Sequence, residues 1–383
     1  MNMSASIYVD NNATTPLAPE VLSAMCACLA DCYGNPSSQH HVGAAAKQRV
    51  MDARAKVAAL LGASPAEIVF TASATESNHL AILGALARDP SRRHVVTTAV
   101  EHPATQMLLT RLAHEGVTVS AIEVDHNGLP DLAALEAAIT PHTALVSMMW
   151  ANNETGVVLP VAEAAQIAAD HGVLFHTDAV QAVGRVPVNM HHMPADLLSL
   201  SGHKLHAAKG VGVLFIRKGC QLPPLLWGHQ ERGRRGGTEN VAAIVGLGVA
   251  AELALGSLVQ DAHGMVALRN QLEQGLLQQL PFAQVNGDGV PRLANTCNIR
   301  FGEIDAEIIL NKLDKANICA SSGSACTAGG TEPSQVLLSM GQTRAAALAA
   351  VRFSLSRYNT EYEVAHLIKV VPEIVRPLVR MAA

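Results

Sequence analysis

The chain has 383 residues, room for two domains of ordinary size, and 49% of them are hydrophobic, so a large core is available. Aromatics are only 3%, which leaves that core to Ala, Leu, Val and Ile. A formal net charge of −5 gives no basic footprint for nucleic acid, and no apolar run is read as reaching the roughly 18–20 residues of a membrane span.

The first dozen residues are expected to form an extended arm. The stretch MNMSASIYVDNNATT has neither the charged start nor the apolar run of a secretory signal, which favours the cytoplasm. Val21, Met25, Cys28 and Cys32 then fall on one face of a helix. Cys26, Cys28 and Cys32 are therefore read as packing thiols rather than metal ligands, since free cysteine behaves as a small hydrophobe. The seven cysteines are an odd number in a chain read as cytosolic, which argues against a disulfide framework. The adjacent pairs His40–His41 and His191–His192 are poorly spaced for helical ligation and read as surface or packing residues.

From about residue 45 to 255, strand-like and helix-like segments alternate. IVFT (68–71), HVVTT (94–98), VSAIEV (119–124), ALVSMMW (144–150), VLFHTD (173–178), LLSLS (197–201) and VGVLFI (211–216) read as strands. Helical stretches such as AAAKQRVMDARAKVAALLG and LPDLAALEAAI lie between most of them. This is an α/β pattern with a mostly parallel sheet covered on both faces. A short glycine-containing bend joins the last two strands, so an antiparallel member is expected there.

After about residue 256 the pattern changes. A helix over roughly 260–280 precedes QVNG, NTCNIRF, a helix at DAEIILNKLDKAN, the strand ICAS, a Gly/Ser-rich loop and VRFSLS. The terminal TEYEVAHLIKVVPEIVRPLVRM reads as a helix kinked at Pro372. The expected division is a large α/β domain over residues 15–255 and a small α+β domain from residues 1–14 and 256–383.

In open α/β sheets ligands bind at the carboxyl ends of strands, and the polar motifs cluster there. TASATESN follows IVFT. The N–H groups of Ala74 and Thr75, with the Thr75 hydroxyl, suit a phosphate at a helix N-terminus, although Ser and Thr are also ordinary caps. Asp178 ends VLFHTD, with Gln181 three residues on. It reads either as the partner of a protonated pyridine nitrogen or as a cap for the next helix. His102, in VEHPA, reads as a ring stacked on a cofactor, as an acid/base group, or as a structural histidine. Lys204 sits in SGHK on a short bend facing the strand ends, where an amine can form a Schiff base with an aldehyde cofactor. Phosphate cup, pyridinium partner, ring and lysine together match pyridoxal 5′-phosphate.

At this point the resemblance is specific. YVDNNATTPLAPEV, GNPSSQH, TASATESN, EHPA, NNETG, HTDAVQAVG, SGHKLHAAKGVG, GHQERGRRGGTENV, SSGSACTAGG and VRFSLSRYNTEYEV run nearly end to end. The chain resembles the cysteine desulfurases that serve iron–sulfur cluster assembly, and among them the nitrogen-fixation type. The resemblance implies the aspartate-aminotransferase fold (fold type I), pyridoxal 5′-phosphate, L-cysteine as substrate, a homodimer, and an iron–sulfur scaffold protein as sulfur acceptor.

Carried over by motif, Lys204 would bond the cofactor, Asp178 would pair with its pyridine nitrogen and Gln181 with its ring hydroxyl. His102 would stack on the ring and move protons. Ala74, Thr75, Ser201 and His203 would hold the phosphate, and Thr238 would reach the phosphate of the other subunit. Asn153 would touch cofactor or substrate, and Arg352 would take the substrate carboxylate as a bidentate fork. Cys326, in the small-residue loop SSGSACTAGG, would be the nucleophile that becomes a persulfide, on a loop expected to be exposed and mobile. No structural metal is implied, although Cys326 is a candidate contact for a transferred iron–sulfur cluster. The chain departs from the family at LHAA (205–208), where His206 and alanines replace an aromatic and a proline. Two other readings stay open: a selenocysteine lyase or another fold type I enzyme, and a non-catalytic partner subunit. The second is expected to lack Lys204 or Cys326.

Overall fold

The computed structural model describes residues 6–323 and 332–382. The arm carries β1 (Ile7–Tyr8) and is followed by α1 (Pro19–Asp31) and α2 (His41–Leu61). Alternating elements then follow: β2 (Ile68–Thr71), α3 (Ala74–Arg88), β3 (His94–Thr98), α4 (Pro103–His114), β4 (Thr118–Ile122) and α5 (Leu132–Ala138). The series continues with β5 (Thr143–Met149), α6 (Val161–Asp170), β6 (Leu174–Asp178), β7 (Leu197–Ser201) and β8 (Gly212–Ile216).

These strands form one sheet in the order β2-β8-β7-β6-β5-β3-β4. All neighbours pair in parallel except β8, which is antiparallel to both β2 and β7. The central strands are buried along their whole length, as a sheet covered on both faces requires. Thr71 and Ser201 both pair with Gly212, so β2 and β7 end where β8 begins. TASATESN and SGHK therefore leave the sheet side by side. A Cβ on Gly212 would lie 2.6 Å from the Ser73 carbonyl carbon, so only glycine lets β8 press against the start of α3.

The chain continues into α7 (Val241–Gln279), much longer than the helix expected over 260–280. Gly246 and Gly248 look like breakers in sequence but serve close packing. A Cβ at Gly248 would meet the Ala53 Cα of α2 at 2.7 Å, and one at Gly246 the Met25 side chain of α1 at 2.7 Å. By length and composition α7 contains a run apolar enough to cross a membrane, contrary to the sequence expectation. Half of that run is buried within the protein, and residues such as Ile244, Leu247 and Ala251 belong to its core.

The C-terminal elements are β9 (Ala283–Val285), β10 (Thr296–Phe301), α8 (Ala306–Lys315), β11 (Ile318–Cys319), β12 (Ser321–Ser322), α9 (Gln335–Ser339), α10 (Arg344–Leu348), β13 (Ala350–Ser354) and α11 (Glu361–Ala382). β12-β13-β10-β9 make an antiparallel sheet. It shares a core with Leu272 and Leu276 of α7 and with Leu367 and Val371 of α11. The helix α11 continues through Pro372 and Pro377. The expected strand ICAS is split: Ile318 and Cys319 pair with the arm strand β1, and Ser321 and Ser322 pair with β13. The expected division at residue 255 falls inside α7, which joins the two cores.

Candidate active site

At the carboxyl ends of the main-sheet strands lies a cavity of about 200 Å³. Ala74, Thr75, His102, Asn153 and Asp178 line it, together with Gln181, Ser201, His203, Lys204 and Arg352. Ten residues singled out from separate motifs thus meet in one place. Thr238 does not join them. It is exposed and lines a different cavity, beside Thr71 and Ala72. Cys326 lies outside the described residues; Gly323, the last described residue before it, borders the site cavity.

One end of the cavity is the start of α3. Ser73 caps it, its hydroxyl accepting from Glu76 N–H (3.2 Å) while its carbonyl accepts from Ser77 N–H (3.1 Å). The N–H groups of Ala74 and Thr75 have no partner among the described residues. Open N–H donors on a 15-residue helix make an anion seat, and Ser201 and His203 border it. Burial, helped by the charges of Lys204 and Lys209, lowers the His203 pKa to about 4, so this ring is neutral near pH 7.

The other end is Asp178, buried at the tip of β6. Asn78 Nδ2 donates to its Oδ2 at 2.7 Å, and Val180 N–H donates to Oδ1 at 3.0 Å. A buried carboxylate held this way is oriented and keeps acceptor capacity for a cationic ring N–H. His102 starts α4, and its Nδ1 accepts from Ala104 N–H at 3.1 Å, which leaves the proton of the neutral ring on Nε2. Burial lowers its pKa, Asp178 opposes that shift and Lys204 adds to it. Behind His102, Glu101 is fully enclosed. Its Oε1 accepts from Thr98 Oγ1 (2.6 Å) and Met149 N–H (2.8 Å), tying the ends of β3 and β5 together. Burial outweighs both hydrogen bonds and raises its pKa to about 8.

Lys204 sits on the turn after β7, its Nζ donating to the carbonyls of Asn12 and Ala13, the latter at 2.7 Å. The arm is fastened to this turn. Thr15 N–H bonds His203 O (3.0 Å), His206 N–H bonds Thr15 Oγ1 (2.9 Å), and Ala18 N–H bonds His206 O (3.0 Å). His206 is left-handed (φ 62°) and buried, its Nδ1 against Pro16 O at 3.0 Å and its ring edge-on to Tyr358. It acts as part of this clasp.

Gln181 bonds within the protein: Nε2 donates to Asn12 O at 3.1 Å, and Oε1 accepts from Arg185. Arg352 comes from the middle of β13, with only 3% of its side chain exposed. Its Nη1 donates to Asn153 O (3.0 Å) and its Nη2 to Asp10 Oδ1 (2.7 Å).

Sequence reasoning missed Asn12, Asn78 and Asp10. Asn12 is a hub: its Nδ2 reaches Asn153 O and Thr296 Oγ1, and its carbonyl takes both Gln181 and Lys204. The signal available was the polar run DNN between a strand and a proline, which reads equally well as an exposed turn. The remaining cysteines are poor nucleophiles or remote. Burial raises the thiol pKa of Cys28, Cys297 and Cys319, and raises Cys220 to about 11. None of the six described cysteines borders the cavity, and no metal-ligating group of side chains is found among the described residues.

Comparison with known proteins agrees with this geometry. The aminotransferase class-V family matches residues 7–367. The chain is 51% identical to a cysteine desulfurase of Trichormus azollae over 373 residues, covering 97% of this chain and 93% of that protein. It is also 51% identical to the cysteine desulfurase NifS of Azotobacter vinelandii over 376 residues, covering 98% and 94%. A solved NifS-like protein superposes with a TM-score of 0.90 at 37% identity, covering 97% of this chain and 99% of the other.

Proposed function

Because the chain belongs to the aminotransferase class-V family, and within it to the cysteine desulfurases, we propose that this cavity takes L-cysteine, removes its sulfur and releases L-alanine. The cofactor of this fold type is pyridoxal 5′-phosphate. The donor set fits it: unpaired N–H groups at the start of α3 for a phosphate, an anchored buried carboxylate for a pyridinium, and an amine beside both. When bound, it supplies an aldehyde for amines and a ring that takes up the electron pair released at the substrate α-carbon.

Each side chain then has a task. Lys204 would be the amine that holds the aldehyde of the cofactor and would be placed to move the α-proton of the substrate. Asp178 keeps the proton on the ring nitrogen, with Asn78 holding its carboxylate in line. His102 would lie against the ring, and its neutral form carries a proton on Nε2. Arg352 takes the substrate carboxylate, with Asn153 beside it. The Cys326 thiolate attacks the substrate sulfur. The carbon–sulfur bond breaks with its electron pair left on the substrate carbon, which takes up a proton on the way to L-alanine, while a sulfur–sulfur bond forms and Cys326 is left as a persulfide.

The persulfide sulfur passes to an acceptor of iron–sulfur cluster assembly, possessing a nucleophilic thiol of its own. The protein works in the cytoplasm as a homodimer, in which Thr238 reaches the phosphate of the partner site. Residues 15–255 form the cofactor domain, and residues 1–14 and 256–383 the domain carrying Cys326.

The observation that supports this reading most is the meeting of Asp178, His102, Lys204 and Arg352 on one cavity bordered by the open start of α3. The test is incubation of the cofactor-loaded protein with L-cysteine and a thiol reductant. Alanine and sulfide in equal amounts support it, and alanine without sulfide, or neither, refutes it.

A further inference from the structure

The guanidinium of Arg352 is held from one side by the arm. Its Nη2 donates to Asp10 Oδ1 at 2.7 Å and its Nη1 to Asn153 O at 3.0 Å, while Nε is buried with no partner among the described residues. Arginine has five N–H donors, so one N–H on each terminal nitrogen remains for a ligand. A carboxylate needs such a pair, at fixed orientation.

The position of Asp10 does not depend on Arg352. On the N-terminal side, Val9 N–H bonds Cys319 O at 2.9 Å, and Ser354 N–H bonds Val9 O at 2.7 Å. On the other side, Asn11 N–H and Nδ2 both bond Ser354 O, at 3.1 and 2.9 Å. Tyr8 Oη donates to the Asp10 carbonyl at 3.2 Å. The carboxylate is thus presented by backbone already fixed to β11 and β13, and the pairing orients the arginine. Its charge also matters locally. Arg185 is buried nearby, with its pKa lowered to about 10 by burial and by the charge of Arg352. Lys204 adds a third cation to the same surroundings.

We propose that Asp10 is a positioning residue for Arg352: it fixes the fork and balances its charge, and thereby sets the preference of the site for an amino acid over an amine lacking the carboxylate. The proposal rests on Arg352 being the carboxylate partner. The contrary effect, competition of Asp10 with the substrate for the same guanidinium, is the weaker one. Asp10 is 19% exposed and partly screened by water, whereas Arg352 is 3% exposed and loses one of its two acceptors without it.

The test compares Asp10→Ala, Asp10→Asn and Arg352→Ala in the cofactor-loaded enzyme. Dissociation constants for L-cysteine and for cysteamine, the same molecule without its carboxylate, are read from cofactor absorbance, beside kcat and KM. Asp10→Ala should weaken L-cysteine binding about tenfold, the loss of one charge-assisted hydrogen bond, with kcat altered less than KM. Asp10→Asn keeps an acceptor and loses the charge, so its loss should be intermediate, about threefold, and it serves alone if the alanine variant does not fold. Cysteamine binding should be the same in all three variants and the parent. Unchanged or tighter L-cysteine binding in both Asp10 variants overturns the proposal, as does an equal loss for cysteamine. If Arg352→Ala itself binds L-cysteine normally, the underlying assignment of Arg352 fails instead.

Discussion

Asn78 Nδ2 lies 2.7 Å from Asp178 Oδ2, joining the first turns of α3 to the tip of β6 across the crest of the main sheet. The contact is buried, and the second amide atom of Asn78, Oδ1, has no partner among the described residues. Asn78→Ala should therefore cost about 1–3 kcal/mol of stability, because Asp178 loses one of its two donors. Asn78→Asp should do worse, since two adjacent buried carboxylates cannot both stay ionised. Thermal midpoints and retention of cofactor on dialysis check this. Parent-like values for both variants would contradict it.

A second prediction concerns Lys204. Lys209, the only other lysine within ten residues of it, is exposed and does not line the cavity. Borohydride reduction of the loaded enzyme, followed by peptide mapping, should place the pyridoxyl label on Lys204. Lys204→Ala should lose both the label and turnover of L-cysteine. A label on Lys209 would remove Lys204 from its assigned place.

Glu101 gives a pH dependence whose sign is fixed. Burial raises its carboxyl from an ordinary value of 4.5 to about 8 in the folded protein. Between those two values the unfolded chain has released the proton while the folded protein retains it. Its favourable contribution is therefore complete below about pH 4.5 and is lost as pH rises through about 8. Glu101→Gln keeps the shape and cannot ionise. The thermal midpoint of the parent should fall relative to that of Glu101→Gln as pH rises from about 5 to about 8.5. Parallel profiles would show that Glu101 does not titrate in this range.

Much of this was legible in the sequence, and the losses have physical causes. The strands β2 to β8 show as short apolar runs because a sheet covered on both faces needs side chains buried on both. The antiparallel β8 follows from the shortness of the bend after Lys204. The first half of α7 lies outside the helix expected over 260–280; Gly246 and Gly248 are weak helix formers, and only the neighbouring helices show that the missing Cβ atoms allow close contact. The site residues with motif-bound chemistry, Lys204, Asp178 and His102, could be named from their strand ends. Asp10, Asn12 and Asn78 could not, because their roles arise from partners up to 342 positions away, as in the Arg352–Asp10 pair. Thr238 lies away from the cavity, and its assignment rests on the proposed homodimer.

Arg352→Ala should raise KM for L-cysteine far more than it alters cofactor content. Removing a charged partner from so buried a position should cost about 2–5 kcal/mol of substrate binding. Cofactor content by absorbance and KM by alanine release check the two halves separately. Unchanged KM would take Arg352 out of the substrate site.

The central claim is that Cys326 receives the sulfur. Lys204, Asp178 and His102, the groups proposed to hold the cofactor, all line the cavity at the strand ends, so on this proposal substrate binding needs no thiol. Carbon–sulfur cleavage needs a soft nucleophile, and a hydroxyl is far weaker at neutral pH. The most direct measurement is mass spectrometry of the parent and of Cys326→Ser after a single addition of L-cysteine, with alanine quantified in parallel. The parent should carry one additional sulfur on the peptide containing Cys326. Cys326→Ser should bind L-cysteine with a normal cofactor spectrum and release no alanine. Full alanine release by Cys326→Ser, or a first persulfide on Cys220 or Cys297, would contradict the account.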